Sequence, residues 1–455
     1  MFSLDNFYNI IHSNLLDNNS SAAYYFNKFD FNFNHNNATL ISKTETFSNF
    51  FIFCDQEPFS QIFFNQLREY FLTPGSMIFD TTRIIVNSEK STEKNNFLKD
   101  HTKIKDWYYF FHGFAALEWY RDYQYFPKVE NQFTKVFISL NHLMTKDRSY
   151  RLSLVANYIE QGILNQGYVS IPLNDVNGTV KSEIFSKESK LSKPARKLIL
   201  KNIIPLTDPL TVDTNFPTGT LSAKLDIPLH QSALWNVVGE TVFYHDKLHL
   251  TEKTFKPIVA RRPFILVAAP GNLAYLKSYG FKTFDRWIDE SYDSIEDPDL
   301  RIQAIVNELK KLCALSDSEL QIMHQEMQET LDYNFNHFYG NFKHIIVKEM
   351  LDNFKVAIES HNSKAKNFKV NINKSLGQVQ YLVPTGNVTI GSFQNFVTSA
   401  SDSVNTDWQA DTVTLVIAQG ATPYTITMPT GNTQIKYAGG TSTVANTANA
   451  VTIIT

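Results

Sequence analysis

Thr251, Glu252, Lys253 and Lys256 stand where a helix should begin, and their types suggest what binds there. The Thr251 hydroxyl can cap the helix, and Glu252 suits the positive end of the helix dipole. Two lysines in the first turns are unfavourable for a bare helix. They become favourable if an anion docks, because a phosphate gains backbone N–H donors as well as both ammonium groups. The alternative is that the lysines are solvated and Glu252 only assists the cap. After the helix, Pro263 leads into Phe264 to Val267, a short apolar run suited to a buried parallel strand.

Other chemistry-bearing residues sit where strands should end. Residues 49–54 read as a central strand stopping at Asp55-Gln56-Glu57-Pro58, with a helix over 62–72. Open α/β sheets hold ligands at the carboxyl ends of their strands. Glu57 is therefore a candidate general base or ligand contact; the alternative is that Asp55 and Glu57 cap the helix. Residues 82–86 read as another strand. A further strand over 107–111 ends at His112-Gly113, and a glycine there permits close backbone approach. His112 is a second candidate, though a lone histidine is commonly structural. Trp119, Tyr120 and Tyr123 can stack on a ring-shaped ligand or simply pack on a helix. Residues 135–141 open a new α/β unit whose helix starts near Arg148 and Arg151. A guanidinium can grip phosphate oxygens in bidentate fashion. Residues 233–240 return to strand character and end on Glu240.

Taken together, Gly239-Glu240-Thr241-Val242-Phe243, Leu250-Thr251-Glu252-Lys253 and Pro263-Phe264-Ile265-Leu266 resemble the donor-site segment of family 10 glycosyltransferases, the α1,3-fucosyltransferases. Glycosyltransferase-like proteins of marine bacteriophages are similar over roughly residues 50 to 350. They also carry segments like Gly280-Phe281-Lys282-Thr283-Phe284, Trp287 to Asp293, and a His-Gly/Trp-Phe-Ala segment like that at His112. The resemblance implies the GT-B architecture: a pair of Rossmann-like α/β domains facing a cleft, closed by a long C-terminal helix. It also implies inverting transfer of a sugar from a nucleotide-sugar to an acceptor hydroxyl, with a GDP-sugar favoured. Glu252 would hold the ribose hydroxyls. Lys253 and Arg151, with Lys256 and Arg148 nearby, would hold the pyrophosphate. Glu240 would sit near the transferred sugar, Glu57 would act as base or acceptor contact, and His112 would lie on the acceptor side. Fixed cations at the leaving group favour the transition state over the ground state. No cofactor or metal is then expected, the nucleotide-sugar being a substrate. Asp297-Pro298-Asp299 reads as a helix cap rather than a metal motif. The acceptor-domain motifs of the fucosyltransferases are not recognisable, so donor and acceptor identity do not transfer.

The whole chain bounds these readings. With 455 residues, two or three domains are expected. The boundaries read as 1–130 for an acceptor-side α/β domain, 131–362 for the nucleotide-sugar domain with its closing helices, and 363–455 for a β-rich module. Lys and Arg total 42 against 45 Asp and Glu, a net charge of -3, which argues against a surface built for nucleic acid. Two cysteines cannot form a disulfide framework and fit a reducing compartment. The start lacks the signal-peptide pattern, and no run approaches the roughly 18 apolar residues of a membrane span. The expected location is the host cytoplasm during infection, or the virion.

Residues 172–225, with five prolines, read as a long connection, helical over 195–201. Two amphipathic helical stretches follow, over 299–331 and 334–358. Pro270-Gly271-Asn272 starts a short helix that could also meet the nucleotide. From Val370 charges thin out, and 415–418, 424–428 and 434–437 read as strands between Gly, Pro and Asn turns, an antiparallel β module. The turn at 436–441 is similar to modules of phage tail-fibre and virion proteins. The chain stops inside a strand, whose edge another subunit could pair. That leaves a second class open: a virion or receptor-binding protein that binds glycans without turnover.

Overall fold

A computed structural model of the chain describes residues 21–25, 49–54, 58–59, 63–65, 67–68, 82–102, 104–125, 132–210, 212 and 223–359, and then the strand segments 367–373, 379–382, 387–394, 414–418, 425–427 and 451–454. It divides into two compact units. One comprises Met1–Asn87, Phe97–Tyr109 and Lys348–Thr455; the other comprises Ser88–Asn96 and Phe110–Val347. Among the described residues no helix is long and apolar enough to cross a membrane.

The first unit holds a parallel sheet of β1 (Ser21–Tyr25), β2 (Asn49–Phe53), β3 (Thr82–Asn87) and β4 (Ile104–Tyr108), in that spatial order. Ile52, Ile84, Ile85 and Val86 are buried, as β-branched residues of a covered sheet should be. The expected strand over 107–111 runs earlier, ending at Tyr108. Trp107 is fixed there by its indole N–H, which donates to Met350 O at 3.1 Å. Asn353 donates to Tyr108 O at 2.9 Å. Strand order follows chain order, so every crossover among the described strands steps the same way.

The second unit contains α1 (Phe111–Trp119) and a second parallel sheet. Its strands are β5 (Lys135–Ser139), β6 (Gly167–Val169), β7 (Ala233–Gly239) and β8 (Phe264–Val267), in the spatial order β8-β7-β5-β6. All seven β7 residues are buried, as a central strand requires. Gly167 is dictated by packing: a Cβ there would lie 2.4 Å from the Phe137 ring. The chain leaves β5 in one direction to reach β6 and in the other to reach β7. That reversal creates a crevice between the carboxyl ends of β5 and β7, the place where open α/β sheets bind ligands.

Further helices follow along the chain, the last of them running from the second unit into the first. They are α2 (Tyr150–Glu160), α3 (Glu252–Val259), α4 (Asn272–Ser278), α5 (Pro298–Cys313), α6 (Asp317–Tyr339) and α7 (Asn341–Glu359). Asp297 caps α5 by accepting from Leu300 N, the role expected of it. The stretch expected to be continuous over 299–331 breaks at Ser316, whose hydroxyl caps α6 in a capping box with Glu319. The 172–225 connection contains a two-stranded ribbon and a helix over Lys193–Asn202. The expectation of two α/β units, each on a parallel sheet, is met, but the boundary expected near residue 130 falls inside the second unit. Nothing in composition changes at Phe110, so periodicity alone could not place it.

In the tail, strands alternate between two sheets. Asn367–Asn373, Asn387–Gln394 and Ile426–Thr427 form one; Val379–Leu382, Thr414–Ala418 and Val451–Ile454 form the other. Among the described residues of the tail, only the Thr414–Ala418 and Val451–Ile454 pair is antiparallel; the other pairings are parallel. The antiparallel expectation is corrected because consecutive strands do not pair. Each partner is two strands away, which a strand-and-turn pattern cannot distinguish from hairpins. The expected strands over 29–33 and 434–437 lie outside the described residues.

Candidate active site

The crevice between β5 and β7 is built by three polar anchors. The first is Glu240, fully buried just past β7. Its Oε1 accepts from Thr251 N at 3.0 Å and Thr254 Oγ1 at 2.6 Å. Its Oε2 accepts from Thr251 Oγ1 at 2.6 Å and Thr241 N at 3.1 Å. Two donors per oxygen leave this carboxylate nothing further to accept. Glu240 therefore ties the strand end to the start of α3. Its acceptor capacity is filled from within the chain.

The second anchor is Arg151, 3 % exposed on the first turn of α2. Its guanidinium donates to Leu143 O at 2.9 Å, Gly239 O at 2.7 Å and Glu240 O at 3.3 Å. The third is Tyr150, whose hydroxyl donates to Glu240 O at 2.5 Å and whose ring stacks on Phe243 at 4.2 Å. Arg151 thus bridges the loop after β5 and the end of β7 through their carbonyls. Its hydrogen bonds among the described residues go to the backbone of the crevice and to the Tyr150 hydroxyl.

On that frame stands the start of α3. Thr251 is its N-cap, as its type predicts. Glu252 is 4 % exposed and pairs with the Lys253 Nζ at 3.0 Å. Burial works to raise the Glu252 carboxyl, but Lys253 and then His112 and Lys256 outweigh it and hold it at about 2. Lys253 keeps a 34 % exposed side chain and also reaches Thr251 Oγ1 at 3.2 Å. Lys256 and Arg148 are half-buried. Arg148 lies close enough to bear electrostatically on His249, as does Lys253.

Two histidines face this cluster. His112 lies in the first turn of α1, in the same unit as α3, with Nδ1 4.0 Å from Glu252 Oε2. Neither of its ring nitrogens, both buried, has a hydrogen-bond partner. His249 is 4 % exposed, and the two rings meet edge to face at 5.0 Å. Burial, and then the neighbouring His249, push His112 down to about 3; burial, Lys253 and Lys247 do the same to His249. Both imidazoles are therefore neutral at pH 7.

The neighbouring glycine has a different reason from the one expected. A Cβ at Gly113 would lie 3.0 Å from the Phe110 and Phe342 rings, so packing demands it. The start of α4 is likewise closed to a ligand. The Asp293 carboxylate accepts from Leu273 N at 3.1 Å and Ala274 N at 3.3 Å, and Asn272 Oδ1 accepts from His249 N at 2.8 Å. Glu57, the candidate base, lies outside the described residues. Sequence reasoning gave no role to Thr254, Tyr150 or His249. The adjacency of Tyr150 to Arg151 and of His249 to the capped helix start was the available signal. Among the described residues no group of three or more His, Cys, Asp or Glu side chains could hold a metal ion.

Against known structures, the chain aligns with a crystal structure of T4 phage β-glucosyltransferase in complex with its UDP-glucose substrate. The TM-score is 0.34 at 13 % identity, covering 69 % of this chain and 75 % of that one. An α,α-trehalose-phosphate synthase (UDP-forming) from Burkholderia vietnamiensis aligns at 0.30 with 11 % identity, over 66 % and 74 % of the two chains. The N-terminal domain of Candida albicans trehalose-6-phosphate phosphatase aligns at 0.29 with 9 % identity, over 66 % and 70 %. No family model and no curated protein matches the chain. None of these three structures is a fucosyltransferase or a tail-fibre protein, and no residue role passes from them at such values.

Proposed function

We propose that the chain is a glycosyltransferase that binds the diphosphate of a nucleotide-sugar at the start of α3 and transfers the sugar to an acceptor hydroxyl. The observation that carries this reading is the half-exposed Lys253, set on a buried Glu252 at a capped helix start. That start is tied by Glu240 to the one strand reversal among the described sheets of the two α/β units. In this reading Lys253, Lys256 and Arg148 face the phosphates, and Glu252 accepts from the ribose hydroxyls. Arg151 and Glu240 hold the frame on which those groups stand. The acceptor oxygen attacks the anomeric carbon as the bond to the diphosphate breaks, with inversion. The acceptor's proton passes to a base, for which Glu57 is the candidate. Negative charge grows on the departing nucleoside diphosphate, so cations fixed beside it lower the barrier. A GDP-sugar is the favoured donor, on the resemblance of the donor-half motifs.

Donor hydrolysis and binding with a panel of GDP- and UDP-sugars test the proposal, comparing the wild-type chain with Glu252→Ala and Lys253→Ala. Both substitutions should weaken binding by about tenfold or more, the usual loss for a hydrogen bond to a charged group. Equal behaviour of wild type and variants would remove the donor site from α3. Failure of the wild-type chain to bind or turn over any nucleotide-sugar would favour a glycan-binding protein without catalysis.

A further inference from the structure

The 172–225 connection concentrates positive charge. Residues 181–201 hold six lysines and Arg196 against two acids, Glu183 and Glu188, in a chain whose net charge is -3. Glu183 is buried, and its Oε2 accepts from Lys146 N at 2.9 Å, so Glu188 is the one exposed acid of the segment. All six lysines are exposed, and among the described residues only Lys201 of the six makes an ion pair, with Glu160 at 2.8 Å.

The helix over Lys193–Asn202 displays part of this charge in a fixed orientation. Ser192 caps it by accepting from Ala195 N, and Ala195 and Ile199 form its buried face. Asn202 ties its end to α2 by donating to Ala156 O at 3.0 Å. At about 3.6 residues per turn, Lys193, Lys197, Leu200 and Lys201 fall on one stripe opposite that buried face. Leu200 is 41 % exposed there, and Ile204, one turn on, is 40 % exposed. Phe185, 66 % exposed, ends the short helix whose Ile184 O accepts from Arg196 at 2.6 Å. Lysines spaced i, i+4 repel one another, and a first turn without an acid leaves the dipole unanswered. Both the lysines and the apolar residues of this face gain if an anionic, partly apolar surface covers it.

We infer that this face docks on an anionic lipid surface, lying on it rather than crossing it. The lysines meet headgroup phosphates, while Leu200, Ile204 and Phe185 enter the boundary between headgroups and acyl chains. A nucleic acid offers the same phosphates but has no use for the aliphatic Leu200 and Ile204, which cannot stack on bases. The one guanidinium of the segment is also engaged within the fold, since Arg196 donates to Ile184 O, Leu191 O and Ser189 O. The inference goes beyond the donor site and does not depend on it.

The test is co-sedimentation of the full chain with vesicles of phosphatidylcholine alone and of an equal mixture of phosphatidylcholine and phosphatidylglycerol, beside a mobility-shift assay with a random-sequence DNA duplex. Binding to the mixed vesicles and not to phosphatidylcholine is expected, weakening steeply as salt is raised. The combined substitution Lys187→Gln, Lys193→Gln and Lys197→Gln should lower partitioning about a hundredfold, roughly fivefold for each lysine near an anionic surface. Leu200→Asn keeps every charge and should lower partitioning about fivefold through lost apolar burial. These substitutions change exposed side chains, so thermal melts should match wild type. No binding to the mixed vesicles, equal binding to phosphatidylcholine, or unchanged partitioning in either variant would overturn the inference. So would salt-sensitive binding to the duplex with none to vesicles, which would make the face a nucleic-acid contact. None of these results bears on the donor site.

Discussion

Glu240 and Thr251 meet through two hydrogen bonds, from the Thr251 backbone N at 3.0 Å and from its hydroxyl at 2.6 Å. One threonine thus caps α3 and anchors it to the end of β7. The start of α3 owes its position to that carboxylate.

Glu240→Gln should accordingly damage folding. The amide keeps one acceptor oxygen and turns its two N–H donors toward a backbone N–H and a hydroxyl that were both donating. The expected cost is about 3 kcal/mol, from two lost bonds to a charged group. Urea denaturation reads it directly. A variant with wild-type stability but no turnover would restore Glu240 to a chemical role.

Arg151→Lys preserves charge and removes the fork. One ammonium cannot reach Leu143 O, Gly239 O and Glu240 O together. A loss of roughly 2–3 kcal/mol is expected from buried carbonyls left without donors. The affinity of the folded fraction for nucleotide-sugar should change little. Wild-type stability with a large loss of affinity would instead make Arg151 a phosphate ligand.

Acid should unfold the second unit early. His112 and His249 titrate at about 3 and His230 at about 4, each driven down first by burial. Their folded values lie below the unfolded 6.5, so the unfolded chain binds protons that the fold refuses. Stability is then full above pH 6.5 and falls as pH drops, by about 1.4 kcal/mol per pH unit for each histidine. All three act together between pH 6 and 4. Glu252 adds to the loss below about 4.5, as its carboxyl is depressed to about 2. Thermal melts from pH 8 to 4 should show this slope, and His112→Asn should reduce it by about a third. A melting temperature constant from pH 7 to 5 would contradict the burial of these rings.

The elements that position the site were legible in the sequence wherever local chemistry decides. The largely apolar run of β7, the Thr251 cap and the Asp297 cap each follow from residue type and spacing. What sequence could not decide was which partner a buried charge takes. Glu240 at a strand end and Arg151 at a helix start suit a ligand or the protein's own backbone equally well. Only the distances to Thr251, Thr254 and the β7 carbonyls distinguish them. His112 was misplaced for a similar reason: an aromatic run such as 107–111 fits a strand or a helix start, and the packing of Trp107 against Met350 O divides it at Tyr108.

The ties from Trp107 to Met350 and from Asn353 to Tyr108 span 243 and 245 residues of chain. A growing polypeptide emerging from the ribosome therefore has β4 early and its partner helix only after the whole second unit has been synthesised. The first unit must wait, half-made, for its last piece, and a continuous gene fragment that covers the second unit carries Phe97–Tyr109 of the first with it.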